Sequence, residues 1–266
     1  MLNKLLEPIA PMLPENNTLE RIWVLAKVDF KSRYYYHRLG VLWALIRPII
    51  ELIVYYTIFK TIFSTSVDNF ALYLCGGLLL WYFFTEGTSK GINALLSKRY
   101  LIESVPFNKV YILIASTLSS LMGFGFNFIA YIIISFIIGA PPEFPYVIQL
   151  IPILLVATLL IFGISLLLAT LSIYLKDIEH LWDMVTLAGF WMTPIVYDES
   201  LMLEKMPLLV YLNPVAPLVI ILHEALLYDQ WININYFLHA LVISLSFFIL
   251  GWFVFSKYSH KAAEKL

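Results

Sequence analysis

The sequence predicts an all-α polytopic membrane protein with six transmembrane helices, an N-terminal amphipathic interface helix and short re-entrant helices before the last span. First, 61% of its residues are hydrophobic and 13% charged, whereas soluble domains have about 45–50% apolar and about 25% charged residues. Second, the apolar runs are continuous and reach the roughly 20 residues that cross a bilayer, which excludes the alternating segments of an outer-membrane barrel. Third, lysine and arginine are distributed unevenly along the chain.

The N-terminal region predicts a helix at the membrane surface. The first 17 residues contain one lysine, three prolines and no sustained apolar stretch, so we expect no cleavable signal peptide. Asn17 and Glu20 have the spacing of a capping box. They open the segment 17–39, in which apolar and basic residues interleave at helical spacing, as is typical of interfacial helices. Gly40 then favours a break before the first span.

The first predicted span, 41–63, carries two charges in its first half. Steps of four residues place charged and aromatic side chains on one slowly drifting helix face. This stripe consists of Trp43, Arg47, Glu51, Tyr55, Phe59 and Phe63. A charge that faces lipid is costly, so the stripe should face a passage or a contact between helices. A polar helix contact with Arg47 reaching to the interface remains the alternative.

The remaining spans follow from apolar runs, and their number follows from charge. The predicted spans are 70–89, 110–138, 146–174, 181–197 and 236–255. Most Lys and Arg residues outside the spans precede the first span or lie in the second connection, the fourth connection and the tail. This distribution predicts that both termini are cytoplasmic and that the number of spans is even. The proline-broken segment 198–235 should therefore dip in from the outer side and return, beside protein or an aqueous cavity. We find no internal repeat and expect residues 1–266 to form one membrane domain.

Catalytic motifs are absent from the sequence. It contains neither a phosphate loop nor an HExxH pair, and its five histidines lack the spacing of metal ligands. His223 and Glu224 form the closest candidate for an acid/base or metal pair, with a polar contact inside the re-entrant segment as the simpler interpretation. Glu51 and Glu86 are the other carboxylates that a membrane-embedded enzyme could use.

Five segments resemble the permeases of type-2 ABC exporters that move polysaccharides. The residues that carry the resemblance fall in the order Asp29, Lys31, Arg33, Tyr34, Leu39, Gly40, Trp43, Pro48; Tyr73, Leu74, Gly77, Leu78, Trp81, Phe83, Phe84; Tyr174, Lys176, Asp177, Ile178; Trp191, Thr193, Pro194, Tyr197; and Asn213, Pro214. They cover roughly residues 20–235. Asn108 departs from the pattern, because the family more often has proline there.

This resemblance implies a homodimer that pairs with two ABC ATPase subunits in the bacterial inner membrane. The cargo it implies is an undecaprenyl-type lipid-linked polysaccharide, with O-antigen the closest fit and capsule and teichoic acid as related cargoes. ATP and Mg²⁺ would be bound by the ATPase, so no cofactor is expected in this chain, and no nucleic-acid partner is implied. The alternative is a membrane-embedded lipid-linked glycosyl- or acyltransferase. A secondary transporter is less favoured, because the two halves show no inverted repeat.

The same resemblance gives two sets of candidate functional residues. Aromatic rings can lie against the C–H faces of sugars, so the expected substrate path contains Arg47, Glu51, Tyr55, Tyr56, Phe59, Trp191 and Tyr197. Segment 95–108 is the expected coupling helix, which would seat in a groove of the ATPase; an ordinary loop helix on the membrane is the alternative. The expected coupling residues are Arg99, Tyr100, Leu101, Glu103, Phe107 and, in the next cytoplasmic loop, Asp177. We interpret the cluster Trp81, Tyr82, Phe83 and Phe84 as an interfacial aromatic belt, and Lys109 as a charge that sets topology.

Overall fold

The computed structural model describes residues 17–34, 43–61, 67, 69–104 and 108–262. Regular secondary structure within these residues is entirely helical. The helices are α1 (Thr18–Tyr34), α2 (Trp43–Thr61), α3 (Phe70–Ser97), α4 (Arg99–Ser104), α5 (Lys109–Ile138), α6 (Phe144–Val147), α7 (Leu150–Tyr174), α8 (Ile178–Trp191), α9 (Glu199–Lys205), α10 (Pro207–Leu212), α11 (Ala216–Leu226) and α12 (Ile234–Ala262).

Among the described residues, four stretches are long and apolar enough to cross a membrane: Phe70–Ser97, Lys109–Ile138, Phe144–Tyr174 and Ile234–Ser259. The third of these combines α6 and α7. The all-helical membrane class is therefore confirmed. The count of six spans stays a prediction, because α2 has 19 residues with three charges and α8 has only 14 residues, which extend about 21 Å at 1.5 Å per residue.

Two predicted boundaries differ from the structure. The helix predicted at 70–89 continues to Ser97, because Glu86 and Lys90 form an ion pair of 2.9 Å within it and so do not interrupt it. Of the short helix predicted at 95–108, residues 95–97 instead belong to α3 and Arg99–Ser104 form a separate helix, while residues 105–107 lie outside the described part of the chain. The helix predicted at 181–197 occupies Ile178–Trp191, because Pro194 cannot continue a helix and the preceding residues turn away.

The helices pack in the order α12, α7, α3, α5 and α1, with α2 at the edge of α3 and α5. Glycines set the closest approaches. A Cβ on Gly251 would lie 2.2 Å from the carbonyl oxygen of Gly163, and a Cβ on Gly91 would lie 2.8 Å from the Cα of Ser165. Ser165 and Ser172 of α7 also donate to carbonyls of α3, at 3.2 and 2.8 Å. Lipid tails are as apolar as the side chains, so the hydrophobic effect does not hold helices together inside a membrane. Close packing at small residues and hydrogen bonds between helices do so instead.

α1 forms the predicted amphipathic helix and packs along α5. Glu20 donates its backbone N–H to the side chain of Asn17 at 3.3 Å, as the capping box predicts. The buried face of α1 includes Ile22 and Leu25, which pack against the first turns of α5, and Phe30 stacks on Phe126 farther along α5. Whether α1 also lies in the plane of the interface stays a prediction.

The segment predicted to re-enter the membrane consists of α9, α10 and α11. α11 packs against α3, α7 and α12, and all but one of its eleven residues are buried. A Cβ on Gly76 of α3 would lie 3.4 Å from the imidazole of His223 in α11, and a Cβ on Gly77 would lie 3.2 Å from the Cα of Ile195, between α8 and α9. Gly76 therefore leaves room for the buried His223 ring, and Gly77 lets the backbone that precedes the segment lie directly on α3.

Candidate functional site

The charged and aromatic stripe of α2 turns partly toward the protein. Glu51, Tyr55 and Phe59 are half-buried, and Tyr55 and Phe59 pack against the main core. The opposite face of α2 is exposed and aliphatic, with Ile50 and Ile53 among its residues. The separation of faces that the sequence predicted is therefore present. The side chain of Arg47 lies outside the described part of the chain.

An aromatic cluster joins α2, α3 and α8 around Phe190. The ring of Phe190 lies 5.6 Å from Tyr55, 5.9 Å from Trp81 and 5.3 Å from Trp191. Trp191 is 52% exposed, and Tyr197 donates its hydroxyl to the Trp191 carbonyl at 3.1 Å. The structure thus brings together three of the predicted path residues. Sequence reasoning missed Phe190, although its position beside Trp191 was an available signal.

Two other predicted path residues lie farther from this cluster. Tyr56 is exposed and stacks on Phe70 at 6.2 Å. Phe59 packs one turn beyond Tyr55, on the same half-buried face of α2.

The aromatic run of α3 is a core element, which corrects its interpretation as an interfacial belt. Trp81, Phe83 and Phe84 are buried, and only Tyr82 is half-buried. Trp81 fills the space left by Gly189 of α8, where an added Cβ would lie 3.0 Å from the indole. The belt interpretation is wrong because other helices, namely α2, α5, α7, α8 and α11, pack against α3 and cover these rings.

α8 is attached to α3 along its length by polar contacts as well as rings. Trp182 donates its indole N–H to the hydroxyl of Thr88 at 3.0 Å. Asn93 donates to the Glu179 carboxylate at 3.1 Å. Most side chains of α8 nevertheless remain exposed, and Phe190 is its one buried residue.

The chain after α8 is anchored by Tyr73 and Asn213. Tyr73 is fully buried, and its hydroxyl lies 3.0 and 2.9 Å from the carbonyl oxygens of Pro194 and Tyr197. Asn213 donates to the Met192 carbonyl and to the Thr193 hydroxyl, at 2.9 and 2.8 Å. These bonds satisfy backbone carbonyls of the irregular chain that follows α8, where no helical partner is available.

His223 and Glu224 do not form a catalytic pair. Nε2 of His223 lies 2.9 Å from the carbonyl oxygen of Tyr73, so it carries the proton and donates, and the imidazole stacks on the Tyr73 ring with centroids 3.9 Å apart. Glu224 instead accepts from the backbone N–H of Asn233 at 2.6 Å. The two side chains therefore have different partners, and His223 is buried in the protein. The described residues contain no cluster of His, Cys, Asp and Glu that could hold a metal ion.

Glu199 is a buried carboxyl group at the start of α9. Its Oε2 atom is buried without a hydrogen-bond partner. Burial, and next the negative charges of Glu224 and Asp198, raises the pKa of Glu199 to about 7. The carboxyl group therefore titrates near neutral pH within the segment that follows α8.

The predicted coupling residues are divided between the core and the surface. Leu101 is fully buried against Leu25 and Ala26 of α1, so it packs inside this chain and is not presented to a partner. Arg99 and Asp177 are exposed, and Asp177 precedes the first residue of α8. The side chains of Tyr100 and Glu103, and the whole of Phe107, lie outside the described residues.

These features define a helical membrane protein with four helical stretches, among the described residues, that are long and apolar enough to cross a membrane. The sequence model of the ABC-2 type transporter family matches residues 20–227, so the chain belongs to this family. It is therefore the membrane subunit of a transporter and not an enzyme, which excludes the transferase alternative.

The relatives with the most informative names are export permeases. The chain is 25% identical over 251 residues to the O-antigen export system permease protein RfbA of Klebsiella pneumoniae, which covers 91% of this chain and 93% of that protein. A second Klebsiella pneumoniae protein of the same name is 27% identical over 248 residues, with 91% and 93% coverage. The protein of that name from Myxococcus xanthus is 23% identical over 208 residues, with 77% and 79% coverage.

Proposed function

We propose that this chain is the transmembrane subunit of an ATP-driven exporter that moves a lipid-linked polysaccharide, most closely O-antigen, across the inner membrane. Membership of the ABC-2 type transporter family supports the transport role. The names of the two Klebsiella pneumoniae relatives, which align over nearly their whole length, support the choice of cargo. ATP and Mg²⁺ would be bound by two ATPase subunits. No cofactor is therefore proposed for this chain.

The proposed topology has six spans, with both termini in the cytoplasm. In this arrangement α2 and α8 are the two spans that are added to the four long apolar stretches. The cations at the start of the chain, near α4 and in the tail then all lie on the cytoplasmic side, as the distribution of positive charge requires.

The proposed channel lies between two copies of the chain. α2 and α8 meet through Tyr55 and Phe190, and both helices leave most of their remaining surface uncovered. The exposed ring of Trp191 is the observation that carries this proposal, because it gives the cluster a face that cargo can reach. Inert aromatic faces would let the C–H surfaces of sugars slide past without holding them at one site. Glu51, Tyr56, Phe59 and Tyr197 remain proposed members of the path.

Arg47 is proposed to meet the diphosphate of the lipid carrier near the cytoplasmic end of α2. A guanidinium group matches phosphate oxygens in geometry and charge. Normal export by Arg47→Gln and Arg47→Lys variants that fold would contradict this role.

Coupling is proposed to occur through α4 and the start of α8. Arg99 and Asp177 are the exposed described residues that would meet the ATPase, and Tyr100, Glu103 and Phe107 remain proposed contacts. Leu101 would instead hold α4 to α1.

The test is export by the chain together with its ATPase in a strain that lacks both. Polymer at the cell surface is expected only when both subunits are present and the ATPase can hydrolyse ATP. Trp191→Ala should reduce export at least several-fold, whereas Trp252→Ala, at a residue 46% exposed on α12, should not. Surface polymer that is independent of ATP hydrolysis would refute the exporter, and equal export by the two tryptophan variants would refute the path.

A further inference from the structure

Two lysines bracket α4, and each is bonded to a different helix. Lys98 separates α3 from α4, and Lys109 is the first residue of α5. We propose that these two lysines are positioning residues that transmit movement of α4 to α1 and to α12. The proposal rests on the proposed function, in which α4 receives movement from the ATPase.

Lys98 holds α4 to α1 through a buried ion pair. Its Nζ atom donates to Oδ2 of Asp29 at 2.9 Å, and Lys98 is only 2% exposed. Its carbonyl oxygen accepts from Leu101 at 3.0 Å, so the same residue also starts α4. One turn later, Leu101 is buried against Leu25 of α1. α4 therefore has two attachments to α1 within a single turn and should move with it.

Lys109 connects the other side of α4 to the end of α12. Its Nζ atom donates to the carbonyl oxygen of Ser259 at 2.6 Å. Ser259 is buried in the last described turn of α12. α12 packs on α7 through Gly251 and Gly163, so a displacement of Lys109 that moves α12 would reach α7.

Topology alone does not account for these contacts. A lysine that only fixes the orientation of a span can remain hydrated, as Lys27 and Lys257 do on the exposed faces of α1 and α12. Burial of an ammonium group has a desolvation cost, and breaking a buried pair leaves an uncompensated charge. The burial of Lys98 therefore indicates a specific attachment rather than a topological signal.

The test uses the full permease assembled with its ATPase in proteoliposomes, with export and ATP hydrolysis measured together. Lys98→Gln and Lys109→Gln are expected to assemble and to hydrolyse ATP within about twofold of wild type, while polymer exported per ATP falls at least tenfold. The double variant Asp29→Lys with Lys98→Asp swaps the two charges, and Lys109→Arg keeps the charge at position 109. Both should export at least half as much polymer per ATP as wild type. Lys27→Gln and Lys257→Gln are the matched controls and should leave it unchanged.

The outcomes separate this inference from the proposed function. A wild-type complex that exports nothing refutes the exporter itself. A wild-type complex that exports, with unchanged export per ATP in the Lys98→Gln and Lys109→Gln variants, overturns the inference. Losses that merely follow the amount of assembled complex also overturn it. If a Gln variant does not fold, the swapped pair and Lys109→Arg decide: restored folding and export support the inference, and failure of either variant to fold or to export overturns it.

Discussion

Replacement of Gly251 by alanine should separate α7 from α12. A Cβ at this position would lie 2.2 Å from the carbonyl oxygen of Gly163 and 3.2 Å from the Cβ of Leu166. Carbon and oxygen lie about 3.3 Å apart even in close C–H···O contacts, so the helices must move apart by about 1 Å. The obstacle is backbone, which cannot rotate away as a flexible side chain would.

The expected cost follows from this displacement. Overpacking a well-packed interface costs about 1–3 kcal/mol, which exceeds the gain of at most about 1 kcal/mol from the higher helix propensity of alanine. We therefore expect Gly251→Ala to lower the free energy of unfolding by about 1–2 kcal/mol. Because about 1.4 kcal/mol is a factor of ten in the folded-to-unfolded ratio, the change is measurable by titration with sodium dodecyl sulfate, followed by circular dichroism.

Gly125→Ala is the matched control. Gly125 lies within α5, and a Cβ there would meet no atom within 4 Å. This variant should be as stable as wild type or slightly more stable, through helix propensity alone. Equal stability of Gly251→Ala and Gly125→Ala would refute the close approach of α7 and α12.

Three further predictions concern the segment after α8. Glu199 has a pKa of about 7 in the folded protein, compared with about 4.5 in the unfolded chain. The folded state therefore holds a proton that the unfolded state releases, so the free energy of unfolding should fall as pH rises from about 4.5 to about 7. Glu199→Gln should therefore stabilise the protein by up to about 3 kcal/mol at pH 8 and have little effect at pH 4.5, as measured by detergent unfolding at both pH values; an equal effect at both would contradict the titration. Tyr73→Phe removes the donor to the Pro194 carbonyl and should cost about 1–3 kcal/mol, with faster hydrogen exchange after α8 and unchanged exchange in α12. Asn213→Ala removes the bond to Thr193 and two others, so exchange should accelerate in the same residues; protection equal to wild type would show that these bonds do not hold the segment.

The class of the protein and the position of its main helices could be predicted because both depend on composition and on local pattern. Long apolar runs give spans wherever they occur, and Asn17 and Glu20 begin a helix through contacts within a single turn. Helix ends were less predictable. The span was predicted to end at Ser89, but an ion pair inside the helix and contacts with α7 and α8 keep the residues up to Ser97 helical.

The candidate site was predictable in its residue types and less so in its arrangement. Tyr55, Trp191 and Tyr197 were identified from one helix stripe and from family motifs, and they do gather. Phe190, which lies between them, was missed, because its role depends on how α2, α3 and α8 meet. Leu101 was expected on a docking surface, yet α1 covers it; a short apolar segment gives no sign of whether its neighbour will be the same chain or another.

The sequence by itself determined that this protein is helical and lies in a membrane, because the solvent that each segment requires follows from the composition of that segment. Only the tertiary structure decided which polar and small residues carry the assembly. In the sequence, Lys98 and Lys109 resemble any other lysines outside the spans; only the structure places Asp29 beside one and the carbonyl of Ser259 beside the other. Gly251 is likewise one of eleven glycines until the structure places Gly163 against it. These roles arise between residues that are distant in the chain, and such pairings are fixed by the packing of whole helices rather than by local sequence.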